Sequence, residues 1–237
     1  MTFSLLVRDP ATGAFGAAVA SRFFAVGALC IHVEGVVGAL ATQALINPLY
    51  AAQGMARLRA GEAPDAIVPA LVAPDPGRDQ RQLHLIDGQG RIAQHTGEQC
   101  VTWAGHAHSA DVSAAGNMLA GPDVVQAMLA GFARAGGSLA ERLIAALQAA
   151  EDAGGDKRGR QSAAVRICER DPYPDLDIRA DDHPDPLAEL RRLHRVSLER
   201  FAPFRRHLAG RDHPWGTTDR DVIEAAIQRE GVPATRP

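Results

Sequence analysis

The sequence has 237 residues and a nearly balanced charge, with 25 Lys and Arg against 28 Asp and Glu and a formal net charge of -3. A chain of this length can bury the core of one large domain. The slightly acidic balance argues against general nucleic-acid binding, which needs a basic surface. No apolar run reaches the roughly 18 residues of a membrane span, and the first residues do not resemble a signal peptide. We therefore expect a small-molecule partner, with no nucleic-acid or membrane partner.

The three cysteines, Cys30, Cys100 and Cys168, are far apart in the sequence and form no C-x-x-C motif. This pattern indicates neither a disulfide framework nor a zinc ribbon. A reducing cytoplasm is the simplest setting for such a chain, and a homo-oligomer is compatible with a domain of this type.

Strand-like runs follow one another in pairs separated by short turns. Residues 9–13 form a turn with proline and glycine at the usual positions. Residues 88–90 (Gly-Gln-Gly) join two strands and open no helix, so they do not form a dinucleotide-binding loop. The predicted hairpins cover 3–8 with 14–20, 29–33 with 36–42, and 82–87 with 91–96, and further strands cover 99–104, 110–115, 162–169 and 176–179.

Helices also come in pairs. Asn47 is a helix cap followed by a proline at the first helical position, and Ser138 with Glu141 forms a capping box. The predicted helices cover 48–61, 64–73, 122–135 and 139–154. Because hairpins and helix pairs replace a strict alternation of strands and helices, the sequence predicts an antiparallel α+β sandwich.

The composition changes at about Asp181, where Asp, His, Pro and Arg become frequent. We expect residues 1–180 to form the main domain and residues 181–237 a helical appendage packed on it. The arginines of this segment alternate with acidic residues, which favours a solvated or salt-bridged surface. Helical spacing predicts one helix here, with another over about 218–230, from the apolar positions Leu187, Leu190, Leu193, Phe201 and Phe204.

Thr2 is the first candidate for catalysis. Initiator methionine is usually removed before a small second residue, and Thr2 would then carry a nucleophilic hydroxyl and a basic amine on one residue. An α-amine has an ordinary pKa of about 7.7–8.0, so part of it is neutral near pH 7 and can accept the hydroxyl proton. The alternative is a threonine that only begins a strand.

Several motifs occur in the order found in one bacterial and archaeal family. They are Thr2-Phe3-Ser4, the run from Ala18 to Gly27, residues 41–44 followed by Asn47-Pro48, residues 103–106, residues 116–121 and the glycine-rich residues 154–164. Over residues 2 to about 195 the sequence thereby resembles the family of unknown function DUF1028, which is placed in the Ntn-hydrolase (N-terminal-nucleophile) superfamily.

This resemblance implies a four-layer αββα sandwich, with two antiparallel sheets between layers of helices. It also implies hydrolysis of an amide bond in a small amide or peptide-like substrate by Thr2, with no metal or organic cofactor. The alternative is a non-catalytic protein that has kept the sandwich for ligand binding or assembly.

Polar residues at strand ends and in the glycine-rich loop are candidate partners of Thr2. Asn117 is a candidate donor to an oxyanion, with a turn asparagine as the alternative. Asp156 is a candidate for orienting the terminal ammonium. The candidate substrate-binding residues are Ser21, Arg22, Thr42, Gln43, Arg158 and Gln161.

Each of these assignments has a structural alternative. Arg22 either binds a substrate carboxylate and lowers the pKa of the amine or forms a salt bridge in a turn. Asn47 is better explained as the helix cap than as a site residue. The glycine-rich loop around Lys157 either lets the backbone approach a ligand closely or only follows a helix as a charged segment.

His106 and His108, with Asp111, suggest a competing class of enzyme. An H-x-H pair can place two imidazoles on one side of a strand as metal ligands, as in a metal-dependent amidohydrolase. Hydrolases that use this pair are parallel barrels of about 250 residues built from alternating strands and helices. This chain lacks that alternation, so the sequence favours the N-terminal nucleophile over a metal site.

Overall fold

The computed structural model describes residues 2–156 and 158–233. These residues form two antiparallel sheets stacked face to face, and helices cover both outer faces. The predicted α+β sandwich with four layers is confirmed.

The elements have the following bounds. The strands are β1 (Thr2–Arg8), β2 (Phe15–Ser21), β3 (Ile31–Glu34), β4 (Gly38–Ala44), β5 (Arg81–Asp87), β6 (Ile92–Thr96), β7 (Trp103–Ser109), β8 (Val112–Leu119), β9 (Ser162–Cys168) and β10 (Leu176–Ala180). The helices are α1 (Pro48–Arg59), α2 (Pro64–Val72), α3 (Asp123–Arg134), α4 (Leu139–Asp152), α5 (Pro186–Glu199), α6 (Phe201–Arg205) and α7 (Arg220–Glu230).

The larger sheet has the strand order β10-β9-β2-β1-β8-β7, and the smaller sheet has the order β3-β4-β5-β6. β1 is an inner strand of the larger sheet. Its first residue, Thr2, is paired with Ser21 of β2 on one side and Asn117 of β8 on the other. Since β1 is antiparallel to both neighbours, the ends of β2 and β8 lie beside the start of β1.

Alternation along β1 assigns its side chains to two different layers. Phe3 and Leu5 are buried in a cluster that includes residues of α3 and α4, among them Met128 and Leu143. Leu6 lies instead in the cluster between the two sheets. A one-residue slip of β1 would exchange these faces, so burial on both sides holds the register.

The smaller sheet is covered on its outer face by α1 and α2. Leu40 of β4 and Leu83 of β5 pack there with Tyr50 and Ile67. The cap predicted at Asn47 is confirmed, because its side chain accepts a hydrogen bond from the backbone N–H of Leu49. The capping box that begins α4 is confirmed as well.

Three predicted boundaries are wrong. The strand predicted over 99–104 begins only at Trp103, and the strand predicted to end at 115 continues to Leu119. In both cases pairing with neighbouring strands decides the bounds. The single helix predicted after Asp181 is divided at Arg200, because Pro203 has no N–H to donate to the carbonyl of Glu199.

The C-terminal helices contact the sandwich through α5. Leu187 and Leu190 are fully buried in the same cluster as Phe3 and Leu5. The division of the chain into 1–180 and 181–237 stays a prediction. Residues from both sides of this boundary pack in the same hydrophobic core. The expected salt-bridged surface is confirmed for four arginines of this segment, which pair with acidic residues: Arg192, Arg200, Arg205 and Arg206.

Within the described residues, no helix combines the length and the apolar character needed to cross a bilayer. The three cysteines are free thiols, as their spacing predicts.

Leu190 tests whether the C-terminal helices share the stability of the sandwich. We expect Leu190→Ala to lower the free energy of unfolding by about 2–5 kcal/mol, because it leaves a cavity in the shared core. The matched control is Val196→Ala in the same helix, where the side chain is 40% exposed, and we expect a change within about 0.5 kcal/mol. Urea unfolding followed by circular dichroism measures both values. Two separate transitions, with only one moved by Leu190→Ala, would contradict a shared core.

Candidate active site

Thr2 lies at the start of an inner strand, with its side chain on the face of β1 that is turned toward the smaller sheet. It is buried, with an exposed fraction of 8%. Its Oγ1 is 3.2 Å from Oγ of Ser21, the residue opposite it on β2. The two hydroxyls therefore lie within hydrogen-bond distance of each other.

A cavity of about 370 Å³ lies beside Thr2. This volume is within the usual range for sites that bind small molecules. Larger grooves of about 520–560 Å³ lie elsewhere and do not include Thr2. The cavity wall contains the polar residues Thr2, Ser21, Thr42, Gln43 and Arg158, and the apolar residues Phe23, Phe24, Ala25, Val26, Ala28, Leu29, Cys30, Ala44 and Ile46.

The glycine-rich loop brings Asp156 to the same end of the larger sheet. Asp156 forms an isolated bridge with Leu119, two residues beyond the β8 partner of Thr2. Its carboxylate accepts the backbone N–H of Arg22, the residue after the β2 partner of Thr2. Asp156 thus lies where β2, β1 and β8 meet.

Arg158 is paired with this carboxylate. Its backbone N–H donates to Oδ1 of Asp156 at 2.7 Å, and its guanidinium is 3.3 Å from Oδ2. The Asp156 side chain is almost completely buried, whereas the Arg158 side chain is 44% exposed. The pair therefore presents donors to the cavity while its net charge is zero. Lys157, between them in the sequence, lies outside the described residues.

Three buried amide side chains connect the two sheets behind the cavity. Gln82 Oε1 accepts from Gln43 Nε2 at 2.9 Å and from Asn117 Nδ2 at 3.0 Å. Gln82 Nε2 donates to the carbonyl of Gly116 at 2.8 Å. Asn117 lies inside β8 rather than in a turn, which corrects the turn alternative for this residue.

A second buried chain of hydrogen bonds runs through His84. Ser4 Oγ donates to Gln43 Oε1 at 2.6 Å and lies 2.9 Å from His84 Nε2. His84 Nδ1 is 2.7 Å from Ser113 Oγ. Burial lowers the pKa of His84 to about 3, with a smaller contribution from His106. His84 is therefore a neutral imidazole that joins hydroxyls of the larger sheet to the smaller sheet.

Backbone strain is found around the cavity. Ala25 and Ala44, which both line it, have φ values of 50° and 67°, in the left-handed region. Met118, directly after Asn117, has a φ value of 57°. Residues other than glycine adopt this region at a cost of about 1–2 kcal/mol, and such strain is common at functional sites.

Two predicted substrate-binding residues point elsewhere in the structure. The guanidinium of Arg22 donates to the backbone carbonyl of Arg160, at an exposed position. The side chain of Gln161 donates to Asp182, also at the surface. The structure therefore brings six predicted partners close to Thr2, namely Ser21, Thr42, Gln43, Asn117, Asp156 and Arg158. Arg22 joins this group only through its backbone N–H, which donates to Asp156.

Among the described residues, the structure does not gather His106, His108 and Asp111 into one cluster. His106 and His108 lie on β7, where both are exposed, and Nδ1 of His106 is bound to Thr96 Oγ1. Asp111 forms a salt bridge with Arg8 instead of joining them. In the described part of the chain, no group of three or more His, Cys, Asp or Glu residues is arranged to hold a metal ion.

Sequence reasoning missed the buried polar residues between the sheets. Gln82 and His84 alternate with Leu83 and Leu85, and such alternation normally indicates a strand with one face in water. A polar face covered by a second sheet has the same pattern. One sequence signal of these buried polar residues is Ser4, a polar residue within the otherwise apolar run of β1. The missed residues are Ser4, Gln82, His84, Gln94 and Ser113.

Comparison with known proteins identifies the family. The model of a family described as a family of unknown function, DUF1028, matches residues 2–190. This chain belongs to the DUF1028 family. No curated protein matches the sequence at a significant level.

A solved structure from this family has the same fold as this chain. The crystal structure of protein SPO2555 from Silicibacter pomeroyi, itself assigned to DUF1028, is 32% identical and has a TM-score of 0.86, covering 92% of this chain and 99% of that chain. The ancestral beta-subunit Anbu from Yersinia bercovieri is 14% identical with a TM-score of 0.37, covering 83% of this chain and 94% of that chain. SPO2555 therefore has the DUF1028 fold over nearly its whole length.

The buried neutral imidazole predicts a specific pH dependence. In the unfolded DUF1028 chain His84 takes up a proton below about pH 6.5, whereas in the folded chain it does so only near pH 3. Because the unfolded state binds more protons between these values, the stability that the neutral His84 contributes is fully present above pH 6.5. It is lost progressively as the pH falls toward 3. We expect His84 to account for about 2 kcal/mol of the loss between pH 7 and pH 5.

Urea unfolding of His84→Gln at pH 7 and pH 5 measures this contribution. The loss of unfolding free energy between pH 7 and pH 5 should be about 2 kcal/mol smaller in His84→Gln than in the unmodified chain. His213→Gln is the matched control, because His213 is exposed and should leave this loss unchanged. If His84→Gln loses as much unfolding free energy between pH 7 and pH 5 as the unmodified chain, then His84 takes up its proton over this range in the folded protein as well.

Proposed function

We propose that this DUF1028 protein is an amide-bond hydrolase of the N-terminal-nucleophile type, acting on a small amide or peptide-like substrate. The observation that carries the proposal is the position of Thr2. It is the first residue of an inner strand, its hydroxyl is 3.2 Å from that of Ser21, and it borders a cavity of about 370 Å³. A nucleophile at the start of a strand, between two stacked sheets, supports assignment of the family to the Ntn-hydrolase superfamily.

The proposed reaction begins with removal of Met1, which lies outside the described residues. The free amine of Thr2 then accepts the hydroxyl proton while Oγ1 attacks the carbonyl carbon of the substrate. The amine returns this proton to the leaving nitrogen as the C–N bond breaks. Water hydrolyses the resulting ester and restores Thr2.

Asp156 is proposed to position the amine of Thr2. Its carboxylate is buried near the start of β1, and two backbone N–H groups orient it. Asn117 is proposed to stabilise the oxyanion. One of its two N–H donors is held by Gln82, and the other is the proposed oxyanion donor. Ser21, Thr42, Gln43 and Arg158 are the proposed substrate contacts, because they line the cavity.

The state of residue 1 is the first test. We expect the mature protein to lack Met1, because the proposed base exists only when the Thr2 amine is free. Intact-mass spectrometry of protein purified from its native host measures this directly. The control is recombinant protein carrying an uncleaved extension before Thr2, which should be inactive. Full activity in protein that retains Met1 would exclude the mechanism.

Replacing the nucleophile is the second test. We expect Thr2→Ala to lower turnover of an amide library by at least about a thousandfold. The lost hydroxyl contact should lower the free energy of unfolding by only about 0.5–1.5 kcal/mol. Thr12→Ala, in the exposed turn between β1 and β2, is the matched control and should retain full activity.

Chelation separates this mechanism from the metal alternative. EDTA should leave the turnover unchanged, and His106→Ala and His108→Ala should retain activity. Undiminished turnover in Thr2→Ala would refute the assignment of the nucleophile. Loss of turnover on chelation, with recovery on addition of zinc, would favour the histidines instead.

A further inference from the structure

We propose that the cavity beside Thr2 is an acyl pocket, selective for neutral substrates whose acyl group is an apolar chain of several carbons. This inference rests on the proposed function, since it names the substrate class of the same site. It is carried by the composition of the cavity wall and by the way the surrounding loop is held.

The wall favours an uncharged apolar group. Nine of the residues that line the cavity are apolar. Seven come from the segment between β2 and β3, and the other two are Ala44 at the end of β4 and Ile46 just after it. The one described cation of the wall, Arg158, is paired with the buried carboxylate of Asp156. A charged acyl group would therefore be desolvated without a compensating net charge, which is unfavourable.

The segment after β2 is held firmly at its backbone. Ser162 Oγ accepts the N–H of Val26 at 3.1 Å and donates to the carbonyl of Phe23 at 2.5 Å. The N–H of Ala25 donates to the carbonyl of Asp181 at 2.9 Å. Gly27 lies so close to Ala164 that an added Cβ would be 2.2 Å from the Ala164 side chain. The loop is thus a fixed wall of the cavity.

On this fixed backbone, two aromatic rings stay largely in water. Phe23 is 65% exposed and Phe24 is 62% exposed, and both line the cavity. Leu29, at the other end of the segment, is 50% exposed. Apolar side chains grouped at the mouth of a concave site gain free energy when a ligand covers them. An acyl chain that extends from Thr2 toward these rings would do so.

Acylation of Thr2 by p-nitrophenyl esters tests the pocket. In this step the Thr2 Oγ1 bonds to the acyl carbon, the bond to p-nitrophenolate breaks, and the hydroxyl proton passes through the amine to solvent. The series comprises acetate, butyrate, hexanoate and the charged hemisuccinate. Each rate constant is divided by that of the free peptide Thr-Phe-Ser-Leu, which removes differences in intrinsic reactivity.

We expect the normalised rate constant to rise about threefold to fourfold for each methylene that enters the pocket. The hexanoate should then react about a hundredfold faster than the acetate, and the hemisuccinate at least about tenfold more slowly than the butyrate. The sequence contains one lysine, Lys157, so the series is measured in Lys157→Arg to remove acylation of a side-chain amine.

Variants of the wall identify the pocket. Phe24→Ser and Ile46→Gln should each lower the ratio of hexanoate to acetate rates by about tenfold, because they remove apolar contact surface. Val222→Gln, at an exposed apolar position of α7 that does not line the cavity, is the matched control and should keep the ratio. A ratio unchanged in Phe24→Ser and Ile46→Gln would overturn the proposal.

Binding to an inactive variant separates this inference from the proposed function. Isothermal titration of Thr2→Ala with acetanilide, butyranilide and hexananilide should show affinity rising with chain length, even if Thr2 proves not to be the nucleophile. Rapid acylation of Thr2 without any dependence on chain length would support the proposed function and overturn the pocket. If Phe24→Ser instead converts an oligomer to a monomer by light scattering, with no effect on chain-length preference, the rings form an interface and the pocket is likewise refuted.

Discussion

The pairing of β1 between β2 and β8 is the constraint on which the rest of the structure depends. It sets Thr2 opposite Ser21 and Asn117 and turns Phe3 and Leu5 toward the helices. A slip of one residue would move the hydroxyl out of the space between the sheets and place aromatic bulk there. The geometry of the candidate site is therefore a consequence of strand register, which the hydrophobic core on the helical side of β1 enforces.

The space between the sheets is apolar in one part and polar in the other. Leu6 and Phe15 pack in the apolar part, whereas Gln82 and His84 lie in the polar part. Buried polar groups destabilise a fold unless their hydrogen bonds are made, and here the bonds cross from one sheet to the other. Their partners fix how the sheets are placed relative to each other, so that Gln43 of one sheet meets the Thr2 end of the other. Such a network favours one arrangement of the site over slightly shifted ones.

Local chemistry made much of the architecture predictable. The cap at Asn47, the capping box at Ser138 and the turn at residues 9–13 act over a few residues, and each is formed as expected. Boundaries that depend on distant partners were not predictable in this way. β8 continues past residue 115 because β1 pairs with it as far as Asn117 and β7 pairs with it at Leu119, and no local pattern contains that information. The apolar spacing from Leu187 to Phe204 continues across the break before Phe201 and gives no sign of it, although Pro203 is visible in the sequence.

The sequence by itself determined the α+β class, the order of hairpins and helix pairs, the family, and Thr2 as the candidate nucleophile. Those conclusions depend on short-range chemistry and on motifs that are contiguous in the chain. Only the tertiary structure decided which polar residues surround Thr2: it brought Asp156 and Arg158 to the cavity, turned the side chains of Arg22 and Gln161 away, and revealed His84 and Gln82 behind it. The physical reason is that an alternating strand shows which residues share a face but not whether water or a second sheet covers that face.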